Sequence, residues 1–241
     1  MIVRPVKTRI FKQDESLERF ILSYLPKISD KSIIVITSKI VALAQGRRIN
    51  SSKLADKIRW IKKESKKFIK TKWCYLALKD GHWCPNAGID ESNVESGGFI
   101  LWPKHPYQVA RQLRQGLLKH YRIKCLGILI TDSRIFPLRS GVNGVALAYA
   151  GFKGLRNYIG KKDLFGRKLK MTQTNIADSL ASAAVLVMGE GAESCPLALI
   201  KEVMVEVRAS TDLKELRIAP KDDLYWPLFE ALNNDIKKKS R

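Results

Sequence analysis

An α+β fold, with mixed sheets packed against helices, is what this sequence predicts, and three observations predict it. Short runs of β-branched residues read as strands, and apolar residues recurring at three and four read as helices. The two kinds do not alternate in the regular βα rhythm of a doubly wound sheet. A chain of 241 residues is long enough to bury a core without staples, and 45% apolar content excludes a disordered basic tail as its main description. No repeat or Pro/Gly/Ser-rich linker divides it, so residues 1–241 read as one domain, at most two interleaved subdomains. Residues 236–241 read as a solvated basic tail.

In chain order, Leu17, Phe20, Ile21 and Leu25 mark the first helix, and Ile33–Thr37 is a strand. Leu54, Ile58, Ile61 and Phe68 mark a second helix whose outer face is basic. Strands follow at Cys74–Leu78 and Phe99–Trp102, and Val109, Leu113 and Leu117 mark a third helix. Cys125–Thr131 and Asn143–Ala150 are apolar strands. Ile176, Leu180, Ala183, Ala184 and Val187 mark a fourth helix, with Thr174 or Asn175 as its cap and Gly189 as its end. Leu197–Val207 reads as the last strand.

The charge is lopsided: 44 Lys+Arg stand against 23 Asp+Glu, a net +21. Such a chain attracts polyanions, whether nucleic acid, anionic lipid or phosphorylated small molecules. Within residues 57–72 there are eight Lys or Arg and one acid, Glu64, interleaved with Trp60 and Phe68. That stretch invites a nucleic-acid reading, yet Ile58, Ile61 and Phe68 keep helical period, so the lysines are expected to face water. Four cysteines, Cys74, Cys84, Cys125 and Cys195, form no CxxC pair. They fit neither a zinc site nor a disulfide framework, so reduced, buried thiols and a cytoplasmic protein are expected. The longest weakly charged stretch, residues 179–189, is far too short to span a bilayer, so no membrane partner is expected.

The charge has gaps. Residues 80–103 hold Asp80, Asp90, Glu91 and Glu95 but no Lys or Arg. Residues 171–200 hold Asp178, Glu190 and Glu193 and again none. Asp132 closes an apolar strand. Buried segments exclude lysine and arginine, which accounts for residues 179–188 and 125–131. The polar, glycine-bearing loops around Asp90 and Glu190 admit another reading. Carboxylates on loops at strand and helix ends suit a hard divalent cation, which in turn would bridge phosphate oxygens.

Common nucleotide and hydrolase signatures fail. Gly154 through Lys162 resembles a P-loop but has one residue too many and Lys in place of the metal-binding hydroxyl. No GxGxxG follows a strand, no GxSxG appears, and His82, His105 and His120 show no HExxH spacing.

The acidic stretches carry a resemblance. Asn86-Ala87-Gly88-Ile89-Asp90-Glu91-Ser92-Asn93-Val94 is similar to the signature of the coenzyme F-420-0:γ-glutamyl ligases. So are Ile130-Thr131-Asp132-Ser133, Gly160 through Arg167, and Met188-Gly189-Glu190-Gly191, as well as Thr37 through Val41 and Gln45-Gly46-Arg47. The resemblance runs nearly end to end in the same order and is weakest between residues 50 and 80 and after 205.

It implies an α+β fold, an intertwined homodimer, GTP or ATP as co-substrate and two divalent cations, Mg2+ or Mn2+. The implied reaction joins L-glutamate to a cofactor carboxylate through an acyl phosphate. Catalysis would rest on Asp90, Asp132 and Glu190. By motif position Asp90 and Asp132 would hold one metal, and Ser133 and Glu190 the other. Nucleotide contacts would come from Thr8, Arg9, Ile10, Phe11, Ser38, Lys39 and Asn93. The turn of Met188, Gly189, Glu190, Gly191, Ala192, Glu193, Ser194 and Cys195 would supply the rest.

The sequence departs from the pattern in two places. Leu43 stands where the family carries Lys, and Arg134-Ile135-Phe136-Pro137-Leu138-Arg139 replaces a Gly- and Arg-bearing continuation. That loop is expected to border the acceptor, with Arg134, Arg139, Asp163 and Arg167 as acceptor contacts. The variant reading is closer to a branch associated with folate metabolism, so a folate acceptor is expected ahead of F-420-0. A basic nucleic-acid-binding protein without ligase activity is the remaining alternative.

Overall fold

A computed structural model describes residues 1–94, 97–228 and 230; Glu95 and the basic tail lie outside the described residues. In chain order the elements are β1 (Ile2–Val6), α1 (Leu17–Tyr24), β2 (Ser32–Thr37), α2 (Ser38–Ala44), β3 (Arg48–Ile49), α3 (Leu54–Glu64), β4 (Lys67–Lys70), β5 (Tyr75–Lys79) and β6 (His82–Pro85). Then come β7 (Phe99–Ile100), α4 (Pro106–Tyr121), β8 (Leu126–Arg134), β9 (Asn143–Ala150), β10 (Leu155–Asn157), β11 (Gln173–Asn175), α5 (Ile176–Met188) and β12 (Leu197–Lys201). The mixed α+β class is as expected.

The principal sheet has five strands in the order β1-β12-β2-β8-β9. β2 pairs parallel with β8, Ser32 opposite Leu126 through Thr37 opposite Thr131, while the other pairings are antiparallel. Five of the six residues of β2 are buried because both faces of the sheet are covered. One face packs α1, α2 and α4 around Phe20, Ile21, Ile36, Ile128 and Ile130. The other packs α5 around Ile33, Val35, Leu129, Ala181 and Ala184. Between Ile130 and Thr131 the register with β9 shifts. Consecutive residues Leu147 and Ala148 therefore both face the first core.

A separate three-stranded sheet, β4-β5-β6, carries α3 and a small core of Ile61, Ala77, Phe99 and Leu101. β10 and β11 form a two-stranded arm.

The first, third and fourth helices fall where apolar period placed them, and Asn175 rather than Thr174 caps the fourth, accepting from the Asp178 amide at 3.0 Å. Its buried face is Ala177, Leu180, Ala181, Ala184 and Met188, so Val187 turns partly outward.

Residues 57–72 are not one helix. Ser65 takes extended backbone (φ −118°, ψ 148°), ends α3, and Phe68 enters β4 on a half-exposed face. Seven of the eight basic residues there are exposed, as expected; Lys57 is half-buried. The last strand stops at Lys201 because Glu202 takes φ 53°. All four cysteines are free, but only Cys84 is buried; the other three are partly exposed, contrary to expectation. No helix among the described residues is long and apolar enough to cross a membrane.

Candidate active site

Parallel strands β2 and β8 end side by side, and ligands of such sheets bind beyond their carboxyl ends. Here that edge gathers the acidic loops. Ser38 follows β2 directly and its hydroxyl donates to Asp132 Oδ1 at 3.4 Å. Trp102 Nε1 donates to Asp132 Oδ2 at 2.5 Å. Strand alternation puts Asp132 on the face of Ile128 and Ile130 and Ser133 on the face of Leu129. Ser133 accordingly hydrogen-bonds Glu190, just beyond the end of α5. One strand end thus offers oxygen donors to both sides of the sheet.

Asp90 is fixed to the same edge by a short bridge, Asp90 with Ile100, and by its neighbours. Its Oδ2 accepts from Lys39 Nζ at 2.7 Å. Lys39 Nζ also donates to the Ser92 carbonyl at 2.8 Å and the Ser92 hydroxyl at 3.0 Å. An ammonium has three donors, and this one spends all three on residues 90–92.

Asn93, in left-handed backbone at φ 54°, donates from Nδ2 to the Gly191 carbonyl at 3.0 Å. The Thr8 amide donates to the Ser194 carbonyl at 2.9 Å. Gly189 has φ 80°, and a Cβ there would stand 2.3 Å from the Glu193 carboxyl carbon, so the turn requires glycine. Glu193 folds back to accept from the Gly191 amide at 2.8 Å.

Electrostatics mark the cluster. Burial, then the Asp90 charge, push the Asp132 carboxyl up to about 6 against the Trp102 and Ser133 bonds. Glu190 is also raised, by burial first and by the charges of Asp90 and Glu193, although Ser133 and Lys39 oppose it. Burial would raise Asp90 too, but Lys39 and Ser92 outweigh it and hold it low. Among the described residues no three His, Cys, Asp or Glu side chains form a ready metal cage. The donors are nonetheless all hard oxygens and carry more negative charge than Lys39 alone balances, which fits a divalent cation in type.

The predicted residues divide. Asp90, Asp132, Ser133, Glu190, Ser38, Lys39 and Asn93 converge, and Thr8 and Ser194 border them. Phe11 is a core residue, edge-on to Phe20 at 4.9 Å, so only its backbone faces outward chemistry. Arg9 Nη1 is tied to Glu15 at 2.9 Å, and Ile10 is exposed. Met188 is buried under α5, and Cys195 Sγ contacts the Glu193 carbonyl at 3.4 Å. Asp163 organises the tip of the β10–β11 arm, accepting from the Phe165 and Arg167 amides at 2.8 Å each and from Arg167 Nε at 3.2 Å. Neither of that pair, nor the exposed Arg139, hydrogen-bonds the acidic cluster among the described residues. Trp102 escaped sequence reasoning, since it reads only as the end of a strand.

The comparisons decide the family. A family model described as F420-0:Gamma-glutamyl ligase matches residues 5–202. The chain belongs to the F420-0:gamma-glutamyl ligase family. Within that family it is 34% identical over 205 residues to a protein of Methanosarcina mazei named coenzyme F420:L-glutamate ligase, covering 78% of this chain and 80% of the relative. A protein of the same name from Methanocaldococcus jannaschii is 36% identical over 210 residues, 80% of this chain and 84% of the relative. A third, from Archaeoglobus fulgidus, is 31% identical over 220 residues, 84% and 88% respectively. The ligase class of F420-0:gamma-glutamyl ligases replaces the nucleic-acid alternative. The relatives' names also reverse the expected order of acceptors, placing F420 ahead of folate.

Proposed function

We propose that this protein joins L-glutamate to the carboxylate of coenzyme F420-0 in the cytosol, at the expense of GTP or ATP. What carries the reading is the convergence of Asp90, Asp132, Ser133 and Glu190 with Lys39 at the carboxyl ends of β2 and β8, in a member of this family.

The acceptor carboxylate attacks the γ-phosphorus, the bond to the β-phosphate breaks, and an acyl phosphate and nucleoside diphosphate result. The glutamate amine then attacks the acyl carbon, phosphate leaves, and the amine gives up its proton as the amide forms. No side chain need become covalently attached; the site's work is to orient reactants and balance charge. Asp90 with Asp132, and Ser133 with Glu190, would hold two Mg2+ or Mn2+ ions, which when bound neutralise the phosphate oxygens. Asn93 and the 188–195 turn shape the nucleotide side. Lys39 stands between the carboxylates and the phosphates as the nearest organic cation. The basic exterior favours all three anionic substrates. Leu164 and Phe165, 99% and 83% exposed at the tip of the β10–β11 arm, support a homodimer in which the arm covers a second copy.

Purified protein incubated with GTP or ATP, manganese, glutamate and F420-0 should give a product heavier by one glutamyl residue. A parallel incubation with a folate acceptor should give none; product there alone would restore the folate assignment. Asp132→Asn and Glu190→Gln should each abolish turnover while shifting the melting temperature by no more than about 2 °C, on the order of 1 kcal/mol or less. Unfolding of both variants would show the carboxylates to be structural instead.

A further inference from the structure

Arg134 ends β8, two residues beyond Asp132 and therefore on the same face of the strand. Its guanidinium is fastened at one point, Nη1 to His82 Nδ1 at 3.4 Å. The other two nitrogens, Nε and Nη2, are shut off from solvent and have no hydrogen-bond partner in the chain. These two carry the parallel N–H pair that grips both oxygens of a single carboxylate.

Nothing nearby supplies that carboxylate. Asp132 has its oxygens engaged by Trp102 and Ser38. His82 contributes no negative charge: burial, and then the charges of Arg134 and Arg217, lower its pKa to about 4, leaving it neutral. A buried cation with two donors unmet destabilises the protein that holds it, and such a group persists where a ligand completes it. His82 on β6 keeps the planar group from swinging away, so the fork is aimed before any ligand arrives.

We propose that Arg134 is the substrate-carboxylate receptor of this site, its Nε/Nη2 fork taking one carboxylate of L-glutamate or of the acceptor beside Asp132. The proposal rests on the ligase reading above and names a binding group for it. Occupying the fork places an anionic substrate next to the acidic cluster without contact between like charges, and a lysine cannot reproduce that grip.

The test compares wild type with Arg134→Gln and Arg134→Lys in steady-state ligation and in substrate-induced thermal shift with a non-hydrolysable nucleotide and Mn2+ present. Both variants should melt at or above the wild-type temperature, because an unmet buried charge is removed or freed. Nucleotide affinity should stay within about twofold. KM for one carboxylate substrate should rise at least 30-fold in Arg134→Gln, and Arg134→Lys should recover less than a tenth of that rise. If glutamate's KM moves, the fork holds glutamate; if the acceptor's moves, it holds the acceptor. Unchanged KM for both, or a lower melting temperature with loss of kcat alone, overturns the proposal. The thermal shift stands apart from turnover. If wild type ligates nothing, the ligase reading fails, and Arg134 is judged by whether wild type but not Arg134→Gln is stabilised by glutamate or acceptor. Absence of that difference overturns it as well.

Discussion

Trp102 shows how much one side chain decides at this site. Its indole N–H holds Asp132 at 2.5 Å, and Gly88 lies against its ring so closely that a Cβ would stand 2.2 Å away. Trp102→Phe keeps the ring's bulk and deletes the donor. The Asp132 carboxyl, already raised to about 6, should then rise further, and the buried acceptor it leaves costs about 1–3 kcal/mol. Ligation at neutral pH should drop by roughly tenfold or more, for which about 1.4 kcal/mol suffices. A lower melting temperature with undiminished ligation would reduce the indole to a packing group. Asp90, Asp132 and Glu190 were legible in the sequence because lysine and arginine avoid their neighbourhoods. Trp102 was not, because its function depends on a carboxylate 30 residues away that only the sheet brings near. Arg134 was visible as a departure from a motif, but its open fork is a matter of contacts.

Elements were legible where one periodicity ran without interruption. α5 shows helical spacing, an Asn cap and a terminal glycine, and all three are found in place. β9 runs over Asn143–Ala150, the residues its apolar alternation marks. α2 was missed because Ser38 through Ala44 follows β2 with no break in polarity, and an apolar run cannot be divided into strand and helix by period alone. β4 was read as helix because Phe68 lies seven residues after Ile61, a spacing both helix and chance supply. The turn after α5 is where an element's end becomes chemistry. Gly189→Ala should force Glu193 off the turn and cost about 1–3 kcal/mol locally. Nucleotide affinity, read by fluorescence titration, should weaken at least about tenfold by the same conversion. Unaltered affinity would place the nucleotide elsewhere.

At the scale of the molecule, an ion triad joins the small sheet to the site. Glu64 at the end of α3 meets Arg47 at 2.8 Å and Lys79 of β5 at 2.5 Å, and Arg47 Nε also donates to the Trp102 carbonyl at 3.0 Å. Burial would raise the Glu64 carboxyl, but the bonds from Lys79 and Arg47 outweigh it and lower its pKa. The sign follows: this stabilisation is full above the carboxylate's ordinary range and fades as pH falls through the lowered folded value. Glu64→Gln should cost about 3 kcal/mol at neutral pH, because two largely buried cations lose their partner. It should also flatten the acid side of the stability profile followed by denaturant titration; an unchanged acid limb would assign that fall to other carboxylates.

The strand order carries a consequence in time. β12 lies between β1 and β2, so the first strand of the chain finds its neighbour only among residues 197–201. A ribosome adding 5–20 residues each second needs on the order of tens of seconds to span that interval. Until then Thr8 has no Ser194 to meet, and the segment that follows β1 stays apart from the turn that precedes β12. The site is therefore among the last features to be assembled as the chain is made, so a nascent ligase cannot capture nucleotide before its sheet has closed.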